Sequence, residues 1–304
     1  MIAAAVLLAA LGGAVPARAA VDAELQAKLE KVAEGFHGRV GIYARRLSDG
    51  AEAAVNADEL FPTASLVKVP ILMTLYDRVA SSQVAFGAPL VYSSTRAYAE
   101  DDIVASFKDG VKTSLPKLAW LTAAYSDNTA ALWCQELAGG GAAINAWLAA
   151  KGFEKTRVNS RTPGREADKA AYGWGQTTPR EMARLFAGLR EGGLLPRPAA
   201  EALYRVFSAS YWTNEALSQI PPWVQAASKQ GAVDHARSEV LLVSAPSGAY
   251  ELAVMTKDQA DGSWSLDNEG YRLLRAASAA AWGRFEPRSD WRPAEGWTRF
   301  AKPE

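Results

Sequence analysis

The chain has 304 residues, 49% of them hydrophobic, with 33 Lys plus Arg balanced by 33 Asp plus Glu. That suits a large core in one big domain or two lobes sharing an interface, and the balanced charge gives no reason to expect nucleic acid or an anionic membrane as partner. A single cysteine, Cys134, excludes an internal disulfide, and two histidines, His37 and His235, without a cysteine cluster argue against a zinc hydrolase; no metal or organic cofactor is expected.

The chain opens on an apolar stretch, residues 2–15, followed by the small-residue box Ala17-Arg18-Ala19. Residues 1–20 are therefore expected to be an export signal, although no Lys or Arg precedes the apolar part. The stretch is shorter than the ~20 apolar residues that span a bilayer. Residues 22–34 have helical spacing, with Leu25, Leu29, Val32 and Ala33 on one side until Gly35 and Gly38 interrupt. RVGIYARRL alternates as a strand, Ser48-Asp49-Gly50 turns, and AEAAV returns.

From Ser65 to about Tyr204 the pattern is mostly helical. LVKVPILMTLYDRVA reads as one helix, LAWLTAAYS as the start of another unit, and NTAALWCQELA as its continuation, with Cys134 in the core. AAINAWLAAKG closes at Gly152, and TPREMARLFAGLREG is capped by Thr178 with Pro179 first and Glu181 three on. Between them SRTPGREADKAAYGWGQ reads as a long irregular loop, a place where function tends to reside. Beyond Val224, ASKQGAV, EVLLVSA and YELAVMT are strands, and residues 267–285 form a last helix. The tail, 286–304, carries Trp291, Trp297 and Phe300 and is expected to pack back on the body. The fold class expected is α+β: an antiparallel sheet with flanking helices, made from both chain ends (about 21–60 and 210–285), plus an all-α lobe (about 61–209).

Three short stretches offer chemistry. Ser65 and Lys68 are three apart and share a helix face. A serine needs a base to become a nucleophile, and a lysine made neutral by burial or a nearby cation can be one. Taken alone, a solvated face explains the pair better, since about one chance S-x-x-K is expected at this length. Tyr125-Ser126-Asp127-Asn128 lies between two helical runs; it suits a helix cap, or a proton-donating Ser126 with a substrate-binding Asn128 and a turn held by Asp127. Lys229-Gln230-Gly231-Ala232 lies in a strand. It suits a protected edge, or a cation, a glycine allowing close ligand approach, and an Ala232 N–H that joins the N–H of Ser65 as an oxyanion hole.

In this order SLVK, SDN and KQG resemble the S-x-x-K, S-D-N and K-T-G of the penicillin-recognising serine enzymes, specifically class A β-lactamases and their relatives. TTPREMARLF is similar to the helix after that family's Ω loop, and VDHARSEVLLV to the strand after its K-T-G, with Arg237 where relatives carry an arginine for the substrate carboxylate. The resemblance covers roughly residues 22–285. It implies a β-lactamase/transpeptidase-like fold with the site in the cleft. It implies catalytic Ser65, Lys68, Ser126 and Lys229, and substrate binding by Asn128, Gln230, Gly231, Ala232 and Arg237. It further implies an exported (periplasmic or secreted) monomeric hydrolase of small β-lactams. The alternatives are another acyl hydrolase or D-Ala peptidase-like enzyme on cell-wall peptides, a penicillin-binding sensor that stays acylated, and an inactive scaffold. Two departures matter. Gln230 replaces a hydroxyl residue, and the Ω-loop glutamate that activates water is missing: its place falls near Thr162 or Pro163, with Glu166 and Asp168 a few residues on.

Overall fold

A computed structural model describes residues 20–301; most of the expected leader, including its cleavage box, lies outside the described residues. Asp22 starts helix α1 (Ala23–Ala33) by accepting the Leu25 N–H at 3.0 Å. Strands β1 (Arg39–Arg46) and β2 (Glu52–Val55) form the expected hairpin. After β3 (Phe61–Pro62) a single 3₁₀ turn, Ala64–Val67, leads into α2 (Lys68–Ala80). Ser65 therefore lies on that turn, and the α-helix proper begins at Lys68.

A short hairpin follows, β4 (Pro89–Val91) with β5 (Lys112–Ser114), which the sequence does not signal. Helix α3 (Leu115–Trp120) runs into one π-helical turn, Leu121–Tyr125, and then α4 (Asn128–Leu137) and α5 (Gly140–Ala150). Strand β6 (Arg157–Val158), helix α6 (Glu166–Tyr172) and strand β7 (Gly175–Thr177) come next. So the stretch read as an irregular loop holds two turns of exposed helix. Helix α7 (Pro179–Glu191) is capped by the Thr178 hydroxyl, which accepts the Glu181 N–H at 3.1 Å, and α8 (Arg197–Phe207) follows. Strands β8 (Ala226–Val233), β9 (Ala236–Val243) and β10 (Tyr250–Lys257) precede the closing helix α9 (Glu269–Phe285).

The main sheet has the order β2-β1-β10-β9-β8 and is antiparallel throughout, which leaves β8 at an edge. Both of its faces are covered. Leu241, Val243, Leu252 and Val254 pack with Leu25 and Leu29 of α1 and Leu274 of α9. Their neighbours Val240, Leu242, Ala253 and Met255 face the other way, toward α2, α7 and α8. That double burial is why EVLLVSA lacks alternation, since each Leu or Val put away from water contributes about 1.5–3 kcal/mol. Helix α2 is enclosed on every side: Lys68 to Tyr76 are all buried, including the lysine. In the tail, Trp291 meets Trp223 edge-on at 6.2 Å, whereas Phe300 is 88% exposed. Among the described residues no helix is long and apolar enough to cross a membrane.

Candidate active site

Ser65 is fixed from two sides. Behind it, Thr63 donates its N–H to the Gly175 carbonyl at 2.9 Å, tying the segment to β7. In front passes β8: a Cβ placed on Gly231 would fall 2.8 Å from the Ser65 nitrogen and 2.9 Å from the Thr63 carbonyl oxygen. Only glycine permits that approach. Ala64, just before the serine, has a φ of +43°, a left-handed conformation that costs a non-glycine residue about 1–3 kcal/mol and is tolerated where surrounding structure imposes it.

Lys68 lies one helical turn on, with no exposed surface. Its Nζ is 2.9 Å from Ser65 Oγ, 2.9 Å from Ser126 Oγ, 2.5 Å from the Ser126 carbonyl and 2.8 Å from Asn128 Oδ1. Burial holds the amine well below the ordinary lysine range, and the neighbouring Lys229 ammonium lowers it further; Asp102 and Asp127 act weakly in the other direction. A lysine in this state can take a proton from Ser65.

Ser126 reaches the pair because the π turn ends with its backbone at φ +71°. Asp127 holds that turn, accepting the Ala130 N–H at 2.7 Å and the Val104 N–H at 2.9 Å. Asp102, which no local motif marks in the sequence, accepts the N–H groups of Asn128 and Thr129 at 2.9 and 2.8 Å and the Thr129 hydroxyl at 2.6 Å. Lys229, also buried, places Nζ 3.0 Å from Ser126 Oγ and 2.7 Å from the Gln230 carbonyl. The geometry is thus a continuous chain: Ser65 Oγ, Lys68 Nζ, Ser126 Oγ, Lys229 Nζ. A cavity of about 690 Å³ opens beside it, lined by Ser65, Asn128 and Ala232. Its rim includes Tyr98 and Trp174, stacked edge-to-face at 4.9 Å. Neither aromatic belongs to a recognisable motif.

A family model described as the beta-lactamase enzyme family matches residues 24–285, nearly all of the described chain. The chain belongs to the beta-lactamase enzyme family. This family member is 27% identical over 285 residues to a beta-lactamase of Mycobacterium tuberculosis, covering 88% of this chain and 89% of that protein. It is 29% identical over 297 residues to a beta-lactamase of Streptomyces fradiae, covering 90% and 93%. Among solved structures, PBP-A superposes with a TM-score of 0.78 at 23% identity, over 88% of this chain and 97% of that one. A beta-lactamase from Sphaerobacter thermophilus superposes with a TM-score of 0.76 at 22% identity, over 86% and 97%. These likenesses establish the β-lactamase/transpeptidase-like fold.

Against that family pattern, two substrate-binding expectations change, and the question left open for the Ω-loop acids is answered by their placement. Arg237 does not reach the cavity. It is fully buried on the α9 side of the sheet, donates to the carbonyls of Val233, Ala236 and Ser263, and lies 4.4 Å from the Trp264 ring and 4.8 Å from the Tyr271 ring. In β9, residues of its parity point away from those facing α7 and α8. Gln230, of opposite parity to Lys229 and Gly231, is paired with Glu239 in the ladder and is 8% exposed, and its side-chain amide makes no hydrogen bond among the described residues. Finally, neither acid of the Ω-loop segment approaches the serine. Glu166 is exposed and accepts the Gly164 N–H; Asp168 pairs with Arg165 at 3.2 Å. Thr162 packs against Gly141, where an added Cβ would fall 1.7 Å from its hydroxyl, and Pro163 is exposed.

Proposed function

We propose that this protein is an exported serine hydrolase that opens β-lactams through an acyl-enzyme on Ser65, with acylation faster than release. Neutral Lys68 takes the Ser65 proton as Oγ bonds to the lactam carbonyl carbon. The developing oxyanion lies between the N–H groups of Ser65 and Ala232; each donor of this kind contributes about 3–4 kcal/mol. Collapse breaks the C–N bond. The Ser126 hydroxyl protonates the departing nitrogen and is resupplied by the Lys68 ammonium. Lys229 stabilises negative charge beside Ser126, and Asn128 donates its amide N–H groups to the substrate. The product is an ester on Ser65 and a secondary amine. Release needs water to attack that ester, forming a carboxylic acid (penicilloate from a penicillin) and returning the proton to Ser65.

The observation that carries this reading is the buried Lys68 amine within hydrogen-bond reach of both Ser65 and Ser126. The outward-facing Glu166 and Asp168 favour slow release, because no Ω-loop carboxylate is placed to activate the water. The apolar leader supports export to the periplasm or medium, and residues 21–60 with 210–285 and residues 61–209 are read as the two lobes flanking the crevice. Incubation with a penicillin followed by peptide mapping tests the proposal. An adduct mapped to Ser65 supports it; an adduct that persists in Ser65→Ala, or none in the wild type, refutes it.

A further inference from the structure

A second cavity, of about 680 Å³, lies between the segment 208–226 and the C-terminal tail, and it shares no lining residue with the Ser65 cavity. Its size falls within the range of about 300–1,000 Å³ usual for small-molecule sites. Three indoles line it: Trp223, 73% exposed, and the half-buried Trp291 and Trp297 of the tail. Trp291 and Trp297 lie beyond residues 24–285, so chain outside the family match completes the cavity. The neighbouring Trp212 donates its indole N–H to the Tyr125 carbonyl at 2.8 Å; the N–H groups of the three lining indoles donate to no acceptor among the described residues.

The polar groups of the lining are neutral. The Ser208 and Ser210 hydroxyls donate to the Tyr204 and Trp212 carbonyls at 2.7 and 2.8 Å, so what they have left to offer is lone pairs. The Gln225 amide, exposed and without a hydrogen-bond partner among the described residues, adds donors and an acceptor. No Lys, Arg, Asp or Glu is among the lining residues, in a chain that is 22% charged; the Ser65 cavity, by contrast, carries Lys257, Asp234 and Asp258. Charge therefore sorts the occupants. A carboxylate or phosphate entering here gives up water and meets no cation, and an ammonium meets no carboxylate. A quaternary ammonium gains ring faces but has no use for the lone pairs and the amide. A pyranose uses both: its C–H faces are apolar and cover an indole, and the hydroxyls around its rim donate and accept without charge.

We propose that this cavity binds a neutral saccharide, with Trp223 and Trp291 as the stacking surfaces and Gln225, Ser208 and Ser210 as partners for its hydroxyls. The site is independent of the chemistry at Ser65, and binding there attaches the protein to a glycan while leaving the crevice open.

The test is calorimetric titration of the full-length protein with tetra-N-acetylchitotetraose and with cellotetraose, two neutral β-1,4-linked tetrasaccharides. At least one is expected to bind with a Kd of about 1 mM or tighter. Trp223→Ala and Gln225→Ala change exposed side chains, so the denaturant midpoint should stay where it is. The first is expected to weaken binding by about tenfold and the second by about threefold. No heat from either saccharide up to about 10 mM overturns the proposal, as does an affinity unchanged in either variant. Binding of choline chloride or decaproline with neither saccharide bound also overturns it, in favour of a cation cage or a polyproline groove.

Discussion

The segment around Ser65 and the segment from Asn159 to Thr177 face the same reaction with different degrees of preparation. In the first, every side chain is over-determined. Ser65, Lys68, Ser126 and Lys229 form one hydrogen-bonded chain, and Asp102 and Asp127 satisfy the backbone that presents it. In the second, the polar side chains bind each other. Arg165 bridges Asn159 Oδ1 and Gln176 Oε1 at 3.0 and 2.9 Å, and Ser160 pairs with Gln135 at 2.9 Å. Under the proposed function, the contrast teaches that the two halves of acyl transfer can be prepared separately. On the proposed reading, the fold holds a nucleophile, base and proton donor for acylation while its Ω-loop segment only walls the site.

The sharpest break is Ser65→Ala, which removes the proposed nucleophile and is expected to abolish the covalent adduct by mass. Lys68→Met keeps the helix buried but deletes the proposed base, and acylation should fall by about 10²–10⁴-fold, read as the rate of adduct formation. If the second half lacks only an activated nucleophile, a reagent that needs no base should replace it. Hydroxylamine added to the pre-formed acyl-enzyme is expected to shorten its lifetime by about tenfold or more, since it attacks esters as a neutral amine. A lifetime unaffected by hydroxylamine would mean that the ester is shielded rather than unassisted. Asp102→Ala strands the N–H groups of Asn128 and Thr129 and the Thr129 hydroxyl, and should cost roughly 3 kcal/mol in denaturant unfolding. The smallest effect is that of pH. Lys68 is held below its ordinary range, so its base form persists to lower pH than in a free lysine; acylation should fall as pH drops through that depressed value, with an inflection well below ~10.4.

Much of the first half was legible in the sequence, for a local reason. S-x-x-K and S-D-N are short-range patterns whose geometry is set by one turn and one cap, and β8 to β10 are eight-residue strands, long enough to be read as strands between turn residues. What escaped depended on tertiary contacts. Strand spacing alone could not say that Arg237 turns toward Trp264 and Tyr271 rather than into the crevice, because that follows from sheet register and from α9. Asp102 gained its role only when the 98–107 segment folded over the start of α4. Strands of two or three residues, such as β3, β6 and β7, carry too little pattern to be read. Helix α6 buries none of its residues, so it shows no apolar stripe.

Rapid-mixing kinetics with a chromogenic cephalosporin, read together with quenched intact mass, address the imbalance between the two halves most directly. The account predicts a burst approaching one equivalent of product per protein, an acyl group on Ser65 at the end of that burst, and slower turnover afterwards. Linear hydrolysis from the first time point, with unmodified protein in every quenched sample, would contradict it.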